Sequence, residues 1–170
     1  GMRYTTGDAD CMALTFNKGR TNAVLREESI AVASSVELTH SDPWNAIEIA
    51  ETVGIPCFIK PTENGSSIGI SRAETTADVA AAIALARSVS TSGVLIESLL
   101  EGREFTVGVV PDEQGEPTVL PVTEITTERL FFDYEAKYQG ASQETTPASI
   151  PDGQRDALQA QALAVYCATR

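Results

Sequence analysis

A short segment at residues 57–70 combines a lysine with a loop rich in glycine and serine. The residues from Cys57 to Lys60 form an apolar run that ends on the lysine, and Pro61 follows at once. Two glycines and two serines lie within residues 65–69. Glycine lets the backbone approach an anion, serine adds hydroxyl donors, and lysine supplies a positive charge. The segment is therefore a candidate phosphate-binding loop, and a simple hairpin that ends on a solvated lysine remains the alternative.

The composition excludes several kinds of partner. The chain has 170 residues and a formal charge of -12, from 24 acidic and 12 basic residues. This charge argues against a general nucleic-acid binder and against docking on an anionic membrane. The sequence contains no apolar run long enough for a membrane-spanning helix. A phosphate site must therefore depend on a few lysines and on backbone amides.

Histidine and cysteine offer little for catalysis or metal binding. The three cysteines, Cys11, Cys57 and Cys167, are far apart and form no C-x-x-C pair, so we predict reduced thiols. His40 is the single histidine, and it precedes Ser41 in a predicted surface turn. Zinc signatures and the common glycine-rich nucleotide motifs G-x-x-x-x-G-K-[ST] and G-x-G-x-x-G are absent. The sequence therefore indicates neither a histidine-activated nucleophile nor a resident metal.

The first part of the chain predicts alternating helices and strands. A leading segment at residues 1–16 opens with a turn-rich stretch at 4–8, and Asn17 is a candidate cap for a helix over residues 18–28. We predict strands over residues 30–38, 57–60, 69–73 and 94–97, a helix from an Asp42–Pro43 start to Gly54, and a helix from Thr75–Asp78 to about Val89 with Val79, Ile83 and Ala86 facing inward. Residues 17–98 therefore predict a compact α+β unit.

Residues 99–170 predict a second, less complete unit. Alternating apolar residues indicate one strand over 105–109 and another over 118–125, joined as a meander by a turn at 112–115. Residues 126–150 lack periodicity and predict a long irregular loop, followed by a helix that starts at Pro151–Asp152. Because two strands are a small sheet to cover that helix, we expect the natural protein to continue beyond Arg170.

The order of these features resembles the ATP-grasp superfamily and, within it, the D-alanine–D-alanine ligases. The matching segments span residues 4–138 and keep the order of the family: 4–7, 13–18, 59–61, 63–69, 95–97, 102–107 and 133–138. The Gly-Ser-Ser-Ile-Gly run at 65–69 and the Tyr-Glu-Ala-Lys-Tyr run at 134–138 carry most of the resemblance. It implies an ATP-grasp central domain, a mixed or antiparallel sheet with helices, in residues 17–98. Residues 99–170 would be the first part of an incomplete second ATP-grasp domain.

The resemblance implies a role for each candidate residue in binding ATP. Lys18 and Lys60 would hold the α- and β-phosphates, and Glu104 would accept hydrogen bonds from the ribose hydroxyls. Adenine would meet the strand end and its continuation, namely Glu97, Ser98, Leu99 and Leu100. The family usually has a large residue such as tryptophan near Leu99. This chain departs from the family pattern there, because leucine would make the contact with adenine.

Closure and catalysis would depend on two loops. Ser66 and Ser67 would lie over the γ-phosphate, Lys137 would reach the transferring phosphate, and Tyr138 would hydrogen bond to Ser66. The expected catalytic residues are therefore Ser66, Lys137 and Tyr138. Together the loops would exclude water from a labile acyl phosphate. Tyr138 also favours amide formation with D-alanine, because relatives that make a D-lactate ester depart from the tyrosine pattern.

The implied reaction is ATP-dependent ligation of D-alanine to D-alanine in the cytoplasm, for peptidoglycan synthesis and the cell wall. The implied cofactors are ATP and Mg2+ or Mn2+, with metal ligands expected beyond residue 170 and none in this chain. The N-terminal domain of the family would also be missing, so we expect the 170-residue chain to bind ATP weakly at best and to be inactive. The resemblance allows a homodimer of the full-length parent.

Two other functions remain open from the sequence. One is another ATP-grasp ligase that joins a different carboxylate and amine. The other is a non-catalytic nucleotide-binding or interaction domain that uses its acidic surface. An Asp followed by Glu-x-Asn downstream of Arg170 would favour the ligases over the non-catalytic domain, and an assay of D-alanine-dependent ADP release would separate the two kinds of ligase.

Overall fold

The computed structural model describes residues 7–127 and 142–170. Its helices are α1 Ala9–Phe16, α2 Lys18–Glu27, α3 Ala46–Val53, α4 Asp78–Ser88 and α5 Asp152–Ala168. Its strands are β1 Ser35–Leu38, β2 Cys57–Pro61, β3 Ser71–Ala73, β4 Val94–Ser98, β5 Glu104–Thr106, β6 Val109–Pro111, β7 Pro117–Val119, β8 Thr123–Thr127 and β9 Ser142–Thr145. The chain divides into two compact units. The first runs to Glu101 apart from residues 27–30, and the second contains those residues and the chain from Gly102 onward.

The first unit is built on a sheet with the strand order β1-β4-β2-β3, in which all neighbours are antiparallel. Side chains alternate between the two faces of a strand. One face carries Cys57 and Ile59 of β2 with Val94 and Ile96 of β4, and all four are fully buried. Burying one such aliphatic side chain contributes roughly 1.5–3 kcal/mol. This apolar face therefore forms the core of the unit, and the opposite face, called the polar face below, carries the charged side chains of Lys60 and Glu97.

Helices α3 and α4 contribute to that core. The predicted inward residues of α4, Val79, Ile83 and Ala86, are all buried and belong to the same cluster as Ile59. The predicted capping arrangement is confirmed in part: the Asp78 carboxylate accepts hydrogen bonds from the amide and the hydroxyl of Thr75, both at 2.8 Å, but the helix begins after Ala77, which makes no side-chain capping hydrogen bond. The spacing of apolar residues was therefore sufficient to orient this helix.

The predicted cap of helix α3 is wrong, and a helix that was not predicted lies in the leading segment. Helix α3 is capped by Asn45, whose side chain accepts from the amide of Ile47 at 2.8 Å. Asp42, the predicted cap, accepts instead from the amide of Thr39 at 2.7 Å, so its carboxylate closes a turn upstream of the helix. The predicted end at Gly54 is confirmed. The leading segment also contains a helix, α1, which Asp8 caps through the amide of Cys11.

The predicted strand over residues 30–38 is shorter in the structure, where β1 covers Ser35–Leu38 alone. The partner strand predicted at 69–73 is confirmed as β3, which pairs antiparallel with β2. The loop of residues 62–70 therefore joins two strands of one hairpin.

The second unit differs from the predicted meander. The predicted strands 105–109 and 118–125 each divide into two, so that β5 pairs with β8 while β6 pairs with β7. Gly108 lies at the first break, where its carbonyl accepts from the amide of Leu120 at 2.8 Å, and Pro121 lies at the second break. Proline has no amide to donate to a strand partner, so it interrupts the ladder. Periodicity alone does not detect either break.

A further strand lies inside the segment that was predicted to be irregular. β9, Ser142–Thr145, pairs with β8 and completes the sheet order β5-β8-β9. The predicted final helix is confirmed as α5, which packs against β6 and β7. Gln159 of this helix donates to the carbonyl of Leu120 at 3.0 Å.

The cysteine prediction is confirmed, since Cys11, Cys57 and Cys167 are all free thiols. Within the described ranges, no helix combines the length and apolar character that crossing a membrane requires.

Candidate functional site

The polar face of the first sheet holds the candidate charges. The register places Phe58 opposite Glu97 and Lys60 opposite Leu95, so these four side chains share the face that points away from the core. Helix α2 contacts this face through Asn22 and Arg26. The alternation of β2 therefore sends Ile59 into the core and Lys60 to the opposite face.

Lys60 and Glu97 form an ion pair between adjacent strands. The Lys60 ammonium lies on Oε2 of Glu97, and Nδ2 of Asn22 donates to Oε1 of the same carboxylate at 2.6 Å. The side chains of Lys60 and Glu97 are 22% and 14% exposed, respectively. Because both are largely removed from water, this pair interacts more strongly than a surface ion pair would.

Lys18 reaches the base of the Gly/Ser loop from the start of α2. Its amide donates to the carbonyl of Thr62 at 2.9 Å, and Nζ donates to the carbonyls of Pro61 at 3.2 Å and Asn64 at 2.7 Å. Burial, and next the neighbouring Lys60 ammonium, lower the pKa of Lys18 below its ordinary value. A nearby anion would favour the charged form of such a lysine. The two ammonium groups are therefore close enough for Lys60 to affect the protonation of Lys18, and their binding of phosphates stays a prediction.

Side-chain hydrogen bonds also anchor the loop base. Nδ2 of Asn17 donates to Oε1 of Glu63 at 3.1 Å, and Nδ2 of Asn64 donates to the carbonyl of Val89 at 2.6 Å. Hydrogen bonds from Ser92 and then from Asn17 lower the pKa of Glu63. The predicted cap is confirmed as well, since Oδ1 of Asn17 accepts from the amide of Arg20 at 2.9 Å. The start of α2 and the region after α4 thus hold residues 63–64 in place.

The tip of the loop has an unusual backbone. Ser66 and Ser67 are consecutive residues in the left-handed region, with φ of 54° and 57°. Such angles are uncommon for residues other than glycine, and strained residues cluster at functional sites. At Gly69, with φ of 75°, a Cβ atom would collide with the side chains of Val89 and Pro61. This position therefore requires glycine both for its backbone angle and for the close approach.

Both interpretations of the segment describe part of the structure. The loop joins β2 to β3 as a hairpin would, yet Lys60 is paired with Glu97 and is not a solvated strand end. The phosphate role of the loop stays a prediction.

The residues predicted to contact adenine follow the ion pair along the chain. Glu97 and Ser98 end β4, and the amide of Ser98 donates to the carbonyl of Ser34 at 2.9 Å. Leu99 is half-buried, whereas Leu100 is 73% exposed and offers apolar surface. The strand end therefore presents a carboxylate and two apolar side chains in sequence.

The remaining predicted residues belong to the second unit or lie outside the described residues. Glu104 is exposed at the start of β5 in the second unit. Its neighbour Arg103 forms two hydrogen bonds with the Glu124 carboxylate, at 2.7 and 2.8 Å. Lys137 and Tyr138 lie outside the described residues. Among residues 7–127 and 142–170, no group of three or more His, Cys, Asp or Glu side chains is arranged to hold a metal ion.

Asn22 is a site residue that the sequence analysis missed. It lies four positions after Lys18, and residues at this spacing share one face of a helix. The helix itself was predicted, so the spacing was available as a signal. A polar residue on that face has no distinctive pattern, and only its contact with Glu97 reveals it.

Comparison with known proteins identifies the family. The family described as "D-ala D-ala ligase C-terminus" matches residues 24–169. The chain belongs to this family. A D-alanine–D-alanine ligase of Flavobacterium johnsoniae is 45% identical over 152 residues, which is 89% of this chain and 46% of the relative. One of Christiangramia forsetii is 40% identical over 166 residues, which is 98% of this chain and 50% of the relative.

Solved structures of ligases share the fold. The VanG D-Ala:D-Ser ligase from Enterococcus faecalis has a TM-score of 0.83 at 30% identity, and the match covers 95% of this chain and 47% of the ligase. The D-alanine–D-alanine ligase from Bacillus anthracis has a TM-score of 0.80 at 26% identity, covering 98% and 52%. The α+β fold of the ATP-grasp type is therefore confirmed. The chain spans about half the length of the curated relatives described above.

Proposed function

We propose that the full-length protein joins two D-alanine molecules in an ATP-dependent reaction, for peptidoglycan precursors in the cytoplasm. One observation carries the proposal: in a chain of the D-alanine–D-alanine ligase family, Lys18 holds the base of the Gly/Ser loop while Lys60 pairs with Glu97 on the same sheet. The lysines supply charge for phosphates, and the carboxylate supplies an acceptor for a base. A nucleotide presents both kinds of group, since it carries phosphates and a base.

Lys18 and Lys60 would bind the α- and β-phosphates. At present Lys18 donates to the neutral carbonyls of Pro61 and Asn64. A phosphate oxygen is a charged acceptor, and hydrogen bonds to charged acceptors are roughly twice as strong as neutral ones. A phosphate would also relieve the repulsion between the two ammonium groups, which lowers the pKa of Lys18.

Glu97, Ser98, Leu99 and Leu100 would receive the adenine. A carboxylate accepts hydrogen bonds and cannot donate them, so Glu97 suits the exocyclic amino group of adenine. The exposed Leu100 side chain would pack against the adenine ring, and the removal of its apolar surface from water would favour binding. Glu104, in the second unit, would accept from the ribose hydroxyls.

The transfer itself requires no protein nucleophile. The carboxylate of one D-alanine attacks the γ-phosphorus, which gives an acyl phosphate and releases ADP, and the amine of the second D-alanine then displaces phosphate. Ser66 and Ser67 would lie over the γ-phosphate, with Lys137 and Tyr138 completing closure. Positioning and charge stabilisation would supply the catalysis. We expect Mg2+ or Mn2+ to accompany ATP, although the described part of the chain holds no cluster for it.

A second candidate is a ligase with a different second substrate. The structural neighbour from Enterococcus faecalis is named a D-Ala:D-Ser ligase. Because ATP would bind alike in both enzymes, the nucleotide residues do not separate them. We favour D-alanine for both substrates on the basis of Tyr138 and of the names of the curated relatives.

The test is ADP release by the purified full-length protein. D-Alanine alone should support ADP release and give a D-alanyl-D-alanine product by mass spectrometry, and D-serine or D-lactate should not improve on it. A protein that needs D-serine would be the second candidate. ATP binding without amino-acid-dependent ADP release would instead indicate a non-catalytic nucleotide-binding domain.

The domain assignment has its own test. The 170-residue chain, assayed alone, should release no ADP with D-alanine under conditions in which the full-length protein does. Turnover by this chain would contradict the assignment of residues 17–98 and 99–170 to the central domain and an incomplete second domain.

A further inference from the structure

We infer that Asn22 is a positioning residue that orients the Glu97 carboxylate for selection of adenine. This inference rests on the proposed function, in which Glu97 meets the base of ATP. It assigns a role to helix α2 beyond the lysine at its first residue.

The contacts of Glu97 are divided between two donors. Nδ2 of Asn22 donates to Oε1 at 2.6 Å, and the Lys60 ammonium lies on Oε2. A carboxylate held at both oxygens by donors from different elements cannot rotate without losing one of them. Its remaining lone pairs therefore point in a defined direction. With Asn22 removed, Lys60 alone would hold one end of the carboxylate.

Helix α2 is itself fixed above the sheet at several points. Gly19, Asn22 and Arg26 follow an i, i+3, i+7 spacing along one side of the helix. Gly19 lies so close to the Glu37 carboxylate that a Cβ atom at position 19 would meet it. Arg26 donates to the hydroxyl of Ser35 and to the carbonyl of Ala33. These contacts lie on both sides of Asn22 along the helix, so they fix the position of its side-chain amide relative to Glu97.

The register connects the same contacts to Glu97. Ser35 on β1 is the direct partner of Glu97 on β4, and Glu37 is the partner of Leu95. Helix α2 thus lies against neighbouring positions of this face, with Gly19 beside the Glu37 carboxylate and Asn22 bonded to the Glu97 carboxylate. The arrangement favours a positioning role over incidental packing, because Asn22 contributes a directed hydrogen bond at the carboxylate.

A fixed carboxylate discriminates between purines. Adenine presents an amino group at the position where guanine presents a carbonyl oxygen. The amino group donates to Glu97, whereas the guanine oxygen would oppose a carboxylate without a proton between them. Sites built to hydrogen bond one substrate reject an analogue that leaves a buried polar group without a partner. Without the Asn22 hydrogen bond, the Glu97 carboxylate could rotate away from the guanine oxygen, so the preference for ATP over GTP would fall.

The decisive variant is Asn22→Asp in the full-length protein. It keeps the size of the side chain, removes the donor and places a second carboxylate against Oε1 of Glu97. Ala23→Asp is the matched control, because it adds the same charge at the next residue of α2, on an exposed position. Asn22→Ala provides a second variant that removes the donor without adding charge.

Binding of ATP and of GTP is measured separately by titration calorimetry. We expect Asn22→Asp to weaken ATP binding at least about tenfold, the equivalent of one hydrogen bond to a charged group. GTP binding should stay the same or improve, so the ATP to GTP ratio falls, while Ala23→Asp retains the ratio. Asn22→Ala should change the ratio in the same direction. The inference would be overturned if both Asn22 variants retained the wild-type ratio of ATP to GTP affinity. Equal losses of affinity for the two nucleotides also retain that ratio, and they would indicate a structural role for Asn22.

The two proposals fail in different ways. Absence of D-alanine-dependent ADP release by the wild-type protein would overturn the proposed ligation. The role of Asn22 would then still be tested by the ratio of ATP to GTP affinity measured by calorimetry. A normal ligase whose Asn22 variants keep their nucleotide preference would overturn the positioning role alone. A wild-type protein that binds no ATP would overturn both.

Discussion

Lys60 on β2 and Glu97 on β4 form an ion pair on the polar face of the first sheet. The register sets these residues diagonally, because Lys60 is opposite Leu95 and Glu97 is opposite Phe58. The resemblance assigned them to different parts of ATP, the phosphates and the adenine. Their contact means that one change would affect both parts of the proposed site.

Removal of the Lys60 charge should reduce turnover severely. We expect Lys60→Ala in the full-length protein to lower kcat/KM for ATP by roughly 10²–10³-fold, which is typical for loss of one donor to developing negative charge. The measurement is D-alanine-dependent ADP release. Arg155→Ala is the control, because Arg155 pairs with Asp152 and Asp156 on the exposed face of α5. A fully active Lys60→Ala enzyme would contradict the phosphate role.

The Gly/Ser loop allows a test that separates hydroxyl chemistry from backbone shape. Ser66 has φ of 54°, so Ser66→Gly relieves the backbone strain while Ser66→Ala retains it, and both remove the hydroxyl. If the hydroxyl contacts the γ-phosphate, both variants should lose about tenfold or more in kcat. If turnover depends on the backbone conformation at Ser66 and not on its hydroxyl, Ser66→Gly should keep the wild-type kcat. Steady-state ADP release distinguishes the two results.

The anchor of the loop base should show a pH dependence. Hydrogen bonds from Ser92 and Asn17 hold the pKa of Glu63 below its ordinary value of 4.5. Ionised Glu63 therefore stabilises the native state at pH above about 4.5, and this stabilisation is lost as the pH falls through the lower native-state pKa. Glu63→Gln should reduce the free energy of unfolding at pH 7 and converge on wild type in acid.

Urea unfolding at several pH values measures this difference. Glu113→Gln serves as the control, since Glu113 is exposed in the turn between β6 and β7. A Glu63→Gln deficit that persists unchanged in acid would show that the ionised carboxylate is not the source of the stabilisation.

The core of the first unit should be sensitive to truncation on one side of α4. Ile83 is 2% exposed, whereas Leu85 on the same helix is 48% exposed. We expect Ile83→Ala to cost about 2–5 kcal/mol of unfolding free energy, through lost burial and the cavity left behind. Leu85→Ala should cost less than about 1 kcal/mol. Denaturant unfolding measures both variants, and similar losses would contradict the assigned orientation of α4.

Much of the first unit was predictable because its signals are local. The apolar face of α4 follows helical spacing, Asn17 caps the helix that begins at the next residue, and β2 is a short apolar run. Its errors also have a local origin. Asp42 and Asn45 are both good caps, and the choice between them depended on the turn that Asp42 closes with Thr39.

The second unit was less predictable because its strands depend on distant partners. Gly108 and Leu120 meet where two apparently continuous strands break, and that contact joins residues far apart in the chain. Strand β9 lies in a polar segment, and its pairing with β8 decides its conformation. Alternation of apolar residues carries no information about either pairing.

The sequence by itself determined the candidate lysines, the Gly/Ser loop and the elements that carry them in the first unit. These depend on residue types and on spacings within a few positions. The tertiary structure decided which groups meet: Lys60 with Glu97, and Asn22 with the same carboxylate from 75 positions away. Such contacts depend on strand register and on the placement of a helix over a sheet, because a side chain reaches only the groups that the completed fold brings near it.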